Sequence, residues 1–139
     1  MNKALLDTDM LSEVAKGVDP VVARNAATYR RAFGCYTTST ISLMEVVRGL
    51  QRTTSAKRLQ SFLASLATQE VLPFDEVAAE LAGRIAGNLE RTGQRIGIAD
   101  PMIAAIAITN GLELVTGNTR HFERIKQLGH PLTIINWRT

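Results

Sequence analysis

With Cys35 as its only cysteine, the chain cannot form an intramolecular disulfide, which excludes the stapled scaffolds of small secreted proteins and fits a reducing cytosol. Long apolar runs are missing as well. The longest, Met102 to Ile108, falls well short of the roughly 20 residues that a bilayer-spanning helix requires. Lys3 and Asp7 interrupt the start of the chain and leave no apolar stretch of the kind a secretory signal uses. No low-complexity tract, internal repeat or Gly/Ser linker marks a boundary, so residues 1–139 are expected to form one domain, long enough to enclose a core. Charge of one sign is only slightly in excess: the net charge of +3 comes from scattered Lys and Arg. That is a mild pointer to an anionic partner and equally the signature of solvated charged faces. The expectation at this level is a cytoplasmic protein with no membrane association.

What is present is a regular alternation of short apolar segments with helical patterns. Lys3 to Leu6 reads as a buried strand, followed by a helix over about Thr8 to Lys16. Asp19-Pro20 signals an N-cap with Pro at the first helical position, opening a helix to about Phe33. Tyr36 to Thr38 is β-prone. Ser39 or Thr40 can cap a helix carrying Leu43, Met44, Val46, Val47 and Leu50, and the next helix shows Leu59, Phe62, Leu63 and Leu66. Glu70 to Leu72 reads as a strand; Asp75 then caps a long helix with Val77, Leu81, Ile85 and Leu89 as its apolar stripe, stopped by Gly93. A helix from Pro101 to Asn110 is apolar on nearly all sides and should be central. Strands at Leu112–Val115 and Leu132–Ile135 flank a last helix that begins at Asn118 or Thr119. This order predicts an α/β fold of three layers, a mostly parallel sheet of four to five strands with helices on both faces. Ligands of such sheets bind beyond the carboxyl ends of the strands.

Within that order the acids stand out. Asp7 follows the first strand, Glu45 lies between the apolar pairs Leu43-Met44 and Val46-Val47, and Asp100 follows Ile98-Ala99. Carboxylates gathered near a core are poorly hydrated and repel one another unless a cation neutralises them, so three from distant segments suggest a hard divalent ion such as Mg²⁺ or Mn²⁺. Each has a structural alternative. Asp7 can cap the helix at Thr8. Asp100-Pro101 has the form of an N-cap with Pro following, worth about 1 kcal/mol, and a capping carboxylate still has a second oxygen for metal. Asn118, in the turn Thr116-Gly117-Asn118-Thr119, either starts a helix or orients a water through its amide. His121 reads as a partly exposed first-turn residue, and Glu80 as part of a solvated helix face, with a fallback role as a fourth acid. Arg48 with its neighbours Arg52, Lys57 and Arg58, and Arg120 with Arg124, are either solvated helix faces or contacts for phosphates.

Taken together, four segments resemble the PIN-domain family, in particular VapC-like toxins of bacterial type II toxin–antitoxin pairs. Leu5-Leu6-Asp7-Thr8-Asp9 resembles the family's opening; Ser42-Leu43-Met44-Glu45-Val46-Val47-Arg48-Gly49 resembles its second motif. Ile98-Ala99-Asp100-Pro101-Met102-Ile103-Ala104-Ala105 and Leu114-Val115-Thr116-Gly117-Asn118-Thr119-Arg120-His121-Phe122 resemble the third and fourth. Many relatives carry a fourth acid in the last motif, where this chain has Asn118 and, slightly later, His121. The resemblance implies a Mg²⁺-dependent (or Mn²⁺-dependent) endoribonuclease that arrests translation until an antitoxin blocks it. Asp7, Glu45 and Asp100 would be its catalytic and metal-binding acids, with Thr8, Thr116 and Asn118 supporting them and Arg48, Arg120 and Arg124 facing RNA. A VapB-like antitoxin and a homodimer are the partners it implies.

Other functions remain in view. Asp7-Thr8-Asp9 after a strand mimics the opening of haloacid dehalogenase-type phosphatases, although Leu11 stands where they carry Thr or Val. A PIN-fold module that binds RNA or an antitoxin without cutting is the main competitor, and a DNA-cutting nuclease of related fold is a third possibility.

Overall fold

Ala4, Leu5 and Leu6 are all buried, yet they serve two different cores. In the computed structural model, which describes residues 1–139, these three form β1 (Ala4–Leu6). The other strands are β2 (Thr37–Ser39), β3 (Glu70–Leu72), β4 (Glu113–Val115) and β5 (Ile134–Ile135). All pairings are parallel, in the order β3-β2-β1-β4-β5. Seven helices connect them: α1 (Thr8–Lys16), α2 (Pro20–Phe33), α3 (Thr40–Arg52), α4 (Ala56–Ser65), α5 (Glu76–Arg91), α6 (Ala99–Thr109) and α7 (Thr119–Gln127).

Because side chains alternate along a strand, Leu5 and Leu114 point to one face and Ala4, Leu6 and Val115 to the other. The first group packs with Ile85 and Leu89 of α5, Ile103 and Ile106 of α6, and Phe122 and Ile125 of α7. The second packs with Met10 of α1, Val22, Ala26 and Tyr29 of α2, and Trp137. Three layers follow directly, as the alternation of strands and helices predicts. The Tyr29 hydroxyl seals the start of β1, donating to Ala4 O and accepting from Ala4 N, both at 3.1 Å. No helix is long and apolar enough to cross a membrane.

The sheet grows outward from β1 to β2 and β3, then returns to the other side of β1 for β4 and β5. The reversal places the carboxyl ends of β1 and β4 side by side, a switch point where the flanking loops part and leave a crevice. Asp7 directly follows β1 and Thr116 directly follows β4 at that end.

Helix α6 is central, with Ile103 through Ala107 buried without a break. The apolar stripe of α5 differs from the expected one. Its core side is Ala78, Ala82, Ile85 and Leu89, while Val77 is 64% exposed. A spacing of four residues drifts by about 40° at each step, so a stripe drawn every fourth residue leaves the core face within a few turns. Met44 of α3 and Leu63 of α4 also face solvent, each 47% exposed, rather than the core. The last strand is confined to Ile134–Ile135, shorter than its apolar run. Ile85→Ala should therefore cost about 2–5 kcal/mol in urea unfolding, whereas Val77→Ala should stay within about 0.5 kcal/mol.

Candidate active site

Asp7 leaves β1 still hydrogen-bonded to the sheet, its N–H donating to Val115 O at 3.1 Å. The backbone then turns into α1, and Oδ1 of Asp7 accepts from Met10 N at 2.9 Å as the N-cap. Oδ2 accepts a short hydrogen bond from the Thr116 hydroxyl, just beyond β4. The capping role and the site role thus coexist in one carboxylate, one oxygen to each. With 5% of the residue exposed, loss of hydration pushes the Asp7 pKa up to about 6. The bonds from Thr116 and Met10 pull against that rise, and the charges of Asp9 and Asp100 add to it.

From Thr116 a chain of contacts runs to the third acid. Thr116 Oγ1 accepts from Asn118 N at 2.9 Å; Asn118 Nδ2 lies 2.9 Å from His121 Nδ1; and His121 Nδ1 lies 3.1 Å from Asp100 Oδ2. Nδ1 carries either a hydrogen or a lone pair, so the last two contacts are alternatives. Protonated there, the ring donates to Asp100; unprotonated, it accepts from Asn118. Asp100 is not an N-cap, contrary to expectation. Helix α6 begins at Ala99 after Ile98, no side chain caps it, and Asp100 lies inside its first turn. Burial raises the Asp100 pKa, His121 lowers it, and the charges of Glu45 and Asp9 raise it again. Asn118 precedes α7 without capping it, its amide being turned to His121 instead.

Glu45 is half-buried on α3. That helix starts where Ser39, the last residue of β2, accepts from Ser42 N at 3.1 Å. The Thr8 hydroxyl donates to Glu45 Oε1, while Ser42 Oγ lies 3.0 Å from it and 3.4 Å from Ser39 Oγ. Oε2 of Glu45 makes no hydrogen bond.

The fold therefore gathers Asp7, Asp100 and Glu45 at one rim, with Thr8, Thr116 and Asn118 as their hydrogen-bonding support. Asp9 is exposed on the first turn of α1, close enough to act electrostatically on Asp7 and Asp100. In this conformation no three His, Cys, Asp or Glu side chains stand at metal-ligating spacing. The donor set itself suits a hard cation. Two carboxylates whose ionisation is opposed by burial and by neighbouring acids are stabilised by a divalent ion that takes oxygen ligands. Arg48 and Arg120 are exposed and Arg124 is half-buried, and none of them pairs with an acid. Glu80 pairs with Arg84 at 2.9 Å on a solvated helix face, away from this network.

Three participants were not legible as such in the sequence. Ser42 lies against the Thr8 hydroxyl from within α3. His121 gave a usable signal, because it stands one helical turn after Asn118 at the exit of β4. Arg138, whose guanidinium lies against Gly117 between Thr116 and Asn118, gave none.

Comparison with known proteins gives a consistent picture. The PIN domain matches residues 4–128. The chain is 32% identical to the tRNA(fMet)-specific endonuclease VapC of Shigella flexneri over 126 residues, covering 90% of this chain and 93% of that protein. It is 35% identical to Ribonuclease VapC10 of Mycobacterium tuberculosis over 130 residues, covering 94% and 93%. Among solved structures, DNA-bound VapBC from Salmonella typhimurium superposes with a TM-score of 0.82 at 30% identity, covering 99% of both chains.

Proposed function

This chain belongs to the PIN-domain family, and on that premise we propose that it is a metal-dependent endoribonuclease, the toxin of a type II toxin–antitoxin pair. The observation that carries the proposal is the convergence of Asp7 and Asp100, from distant parts of the sequence, at the switch point of the sheet, where Thr116 holds Asp7 and His121 lies against Asp100. Relatives named as a ribonuclease and an endonuclease, and a neighbour solved as DNA-bound VapBC, support it.

Asp7 and Asp100 would hold Mg²⁺, or Mn²⁺, with Glu45 beside them. Such an ion, when bound, supplies positive charge for a phosphodiester and lowers the pKa of water. The remaining work belongs to the chain. Thr116 and Met10 N fix the Asp7 carboxylate, and His121 fixes Asp100. Thr8 pins Oε1 of Glu45 and leaves Oε2 to accept a proton from the attacking water. Arg48, Arg120 and Arg124 supply positive charge on the surrounding surface for the RNA backbone.

The proposed partner is a VapB-like antitoxin, and a groove suits its docking. A cavity of about 870 Å³ runs between α1, α3 and α4, with Leu11, Val14, Phe62 and Leu66 on its walls and Lys57 and Arg58 at its side. A homodimer is proposed as the unit that the antitoxin binds.

One observation favours a second reading, a module that binds RNA or an antitoxin without cutting: the acids are not preassembled at ligand spacing. Incubation of antitoxin-free protein with a total tRNA pool decides between them. Discrete fragments with Mg²⁺ and none with EDTA are expected of the nuclease. Intact tRNA in both, from folded protein, would favour the binding module.

A further inference from the structure

Nine of the ten glycines have open space where a Cβ would stand, and Gly117 is the exception. That space is filled by the guanidinium of Arg138. Gly117 has no left-handed φ, so its backbone conformation does not call for glycine. What the missing Cβ provides is room for a cation in the loop between Thr116, which binds Asp7, and Asn118, which contacts His121.

The end of the chain is held firmly enough to present that cation. Trp137 is 3% exposed, its ring 5.5 Å from that of Tyr29, and its carbonyl accepts from Asn25 Nδ2 at 2.9 Å. Arg138 N donates to Asn136 Oδ1 at 2.9 Å. Nε of Arg138 donates to both Glu13 oxygens, at 3.1 and 2.9 Å, which sets the plane of the guanidinium. Nη1 and Nη2 make no hydrogen bond. Asp7 and Asp9 act on Arg138 through space, yet neither forms an ion pair with it.

We propose that Arg138 is an RNA-binding residue of this site, holding a backbone phosphate of the substrate with Nη1 and Nη2 while Glu13 and Gly117 set its position. A guanidinium anchored at Nε retains a planar pair of donors that matches two phosphate oxygens. It stands beside the acids rather than between them, so it leaves their oxygens free and offsets the repulsion between a carboxylate site and a polyanion. A cation that merely plugged the site would be bonded to Asp7 or Asp100 instead. The inference rests on the ribonuclease reading and adds a residue that neither the motifs nor the arginines near them nominate.

The test measures binding of end-labelled bulk tRNA, in EDTA, by the antitoxin-free Asp7→Asn protein, so that binding is read without cleavage. Adding Arg138→Gln should weaken binding roughly ten-fold, as expected for one charge-assisted contact. It should also lower the slope of log K against log salt by about 0.7 to 0.9, one phosphate's share. Gly117→Ala, which keeps the arginine but expels its head from the loop, should weaken binding in the same direction. Arg138→Lys should keep the salt slope without the full affinity. An unchanged slope in Arg138→Gln, or tighter binding, would overturn the inference while leaving the nuclease reading intact. Failure of the parent protein to bind tRNA at all would overturn both.

Discussion

Asp7→Asn is expected to abolish RNA cleavage and to make the protein more stable. The two effects have one cause. In the unfolded chain Asp7 ionises near 3.8, whereas in the fold it does so at about 6, chiefly because it is buried. The native state therefore binds more protons than the unfolded state between those values. Stability is highest below the unfolded pKa, falls as pH rises through the window, and stays reduced above about 6. Two pKa units correspond to about 3 kcal/mol, an upper figure for what a neutral side chain recovers near neutral pH. Asparagine is well suited to the recovery: Oδ1 can accept from Met10 N, Nδ2 can donate to the Thr116 hydroxyl, and Asn is a favoured N-cap. It does not replace the negative charge that a divalent ion requires. Thermal unfolding in EDTA should place the Asp7→Asn midpoint several degrees above wild type at about pH 8, with the gap closing towards about pH 4. A lower midpoint at the higher pH would show that the ionised carboxylate is not a liability in the fold. Asp7→Ala should also lose cleavage, but with the cap gone it forfeits about 1 kcal/mol.

Glu45→Gln and Asp100→Asn are expected to remove activity by separate routes while the fold persists. In Glu45→Gln the amide oxygen would retain the bond from Thr8, but the carboxylate proposed to take the water's proton would be lost, a fall of about 10²–10⁴ in single-turnover rate. In Asp100→Asn the new amide would still accept from His121, yet it carries no charge for an ion shared with Asp7. Its rate should fall at least as far. Both variants should keep the circular dichroism of wild type, because neither residue caps a helix and both are only partly buried. Wild-type rates, or unfolding of both variants, would show that these carboxylates have no part in cleavage or are structural.

The acids were readable because each stands where an apolar segment breaks, and burial with alternation then carries them to one rim. The strand order could be inferred only as far as a parallel sheet. Asp-Pro suggested an N-cap at Asp100, but the first N–H groups of any helix lack intrahelical partners, so proline is tolerated within the first turn and does not by itself locate the cap. The structure places Pro101 after Asp100 inside α6, which frees the carboxylate for His121. The spacing of His121 after Asn118 puts it near the exit of β4, but its contact with Asp100 depends on α6 and α7 packing on the same face, a tertiary fact that the spacing alone does not carry. Arg138 depends on a longer chain of causes: Trp137 must seat beside Tyr29 before its neighbour can reach Gly117. The turn after β4 carries no acid between Thr116 and His121, and Asn118 and His121 stand in contact there instead.

If Asp7 and Asp100 share a divalent ion, titration of antitoxin-free protein with Mn²⁺, followed by electron paramagnetic resonance, will show it. Wild-type protein should take up Mn²⁺, Mg²⁺ should displace it, and Asp7→Asn and Asp100→Asn should each lose most of the uptake. Equal uptake by all three proteins, or none by a wild type that cuts RNA, would show that the two carboxylates do not share an ion.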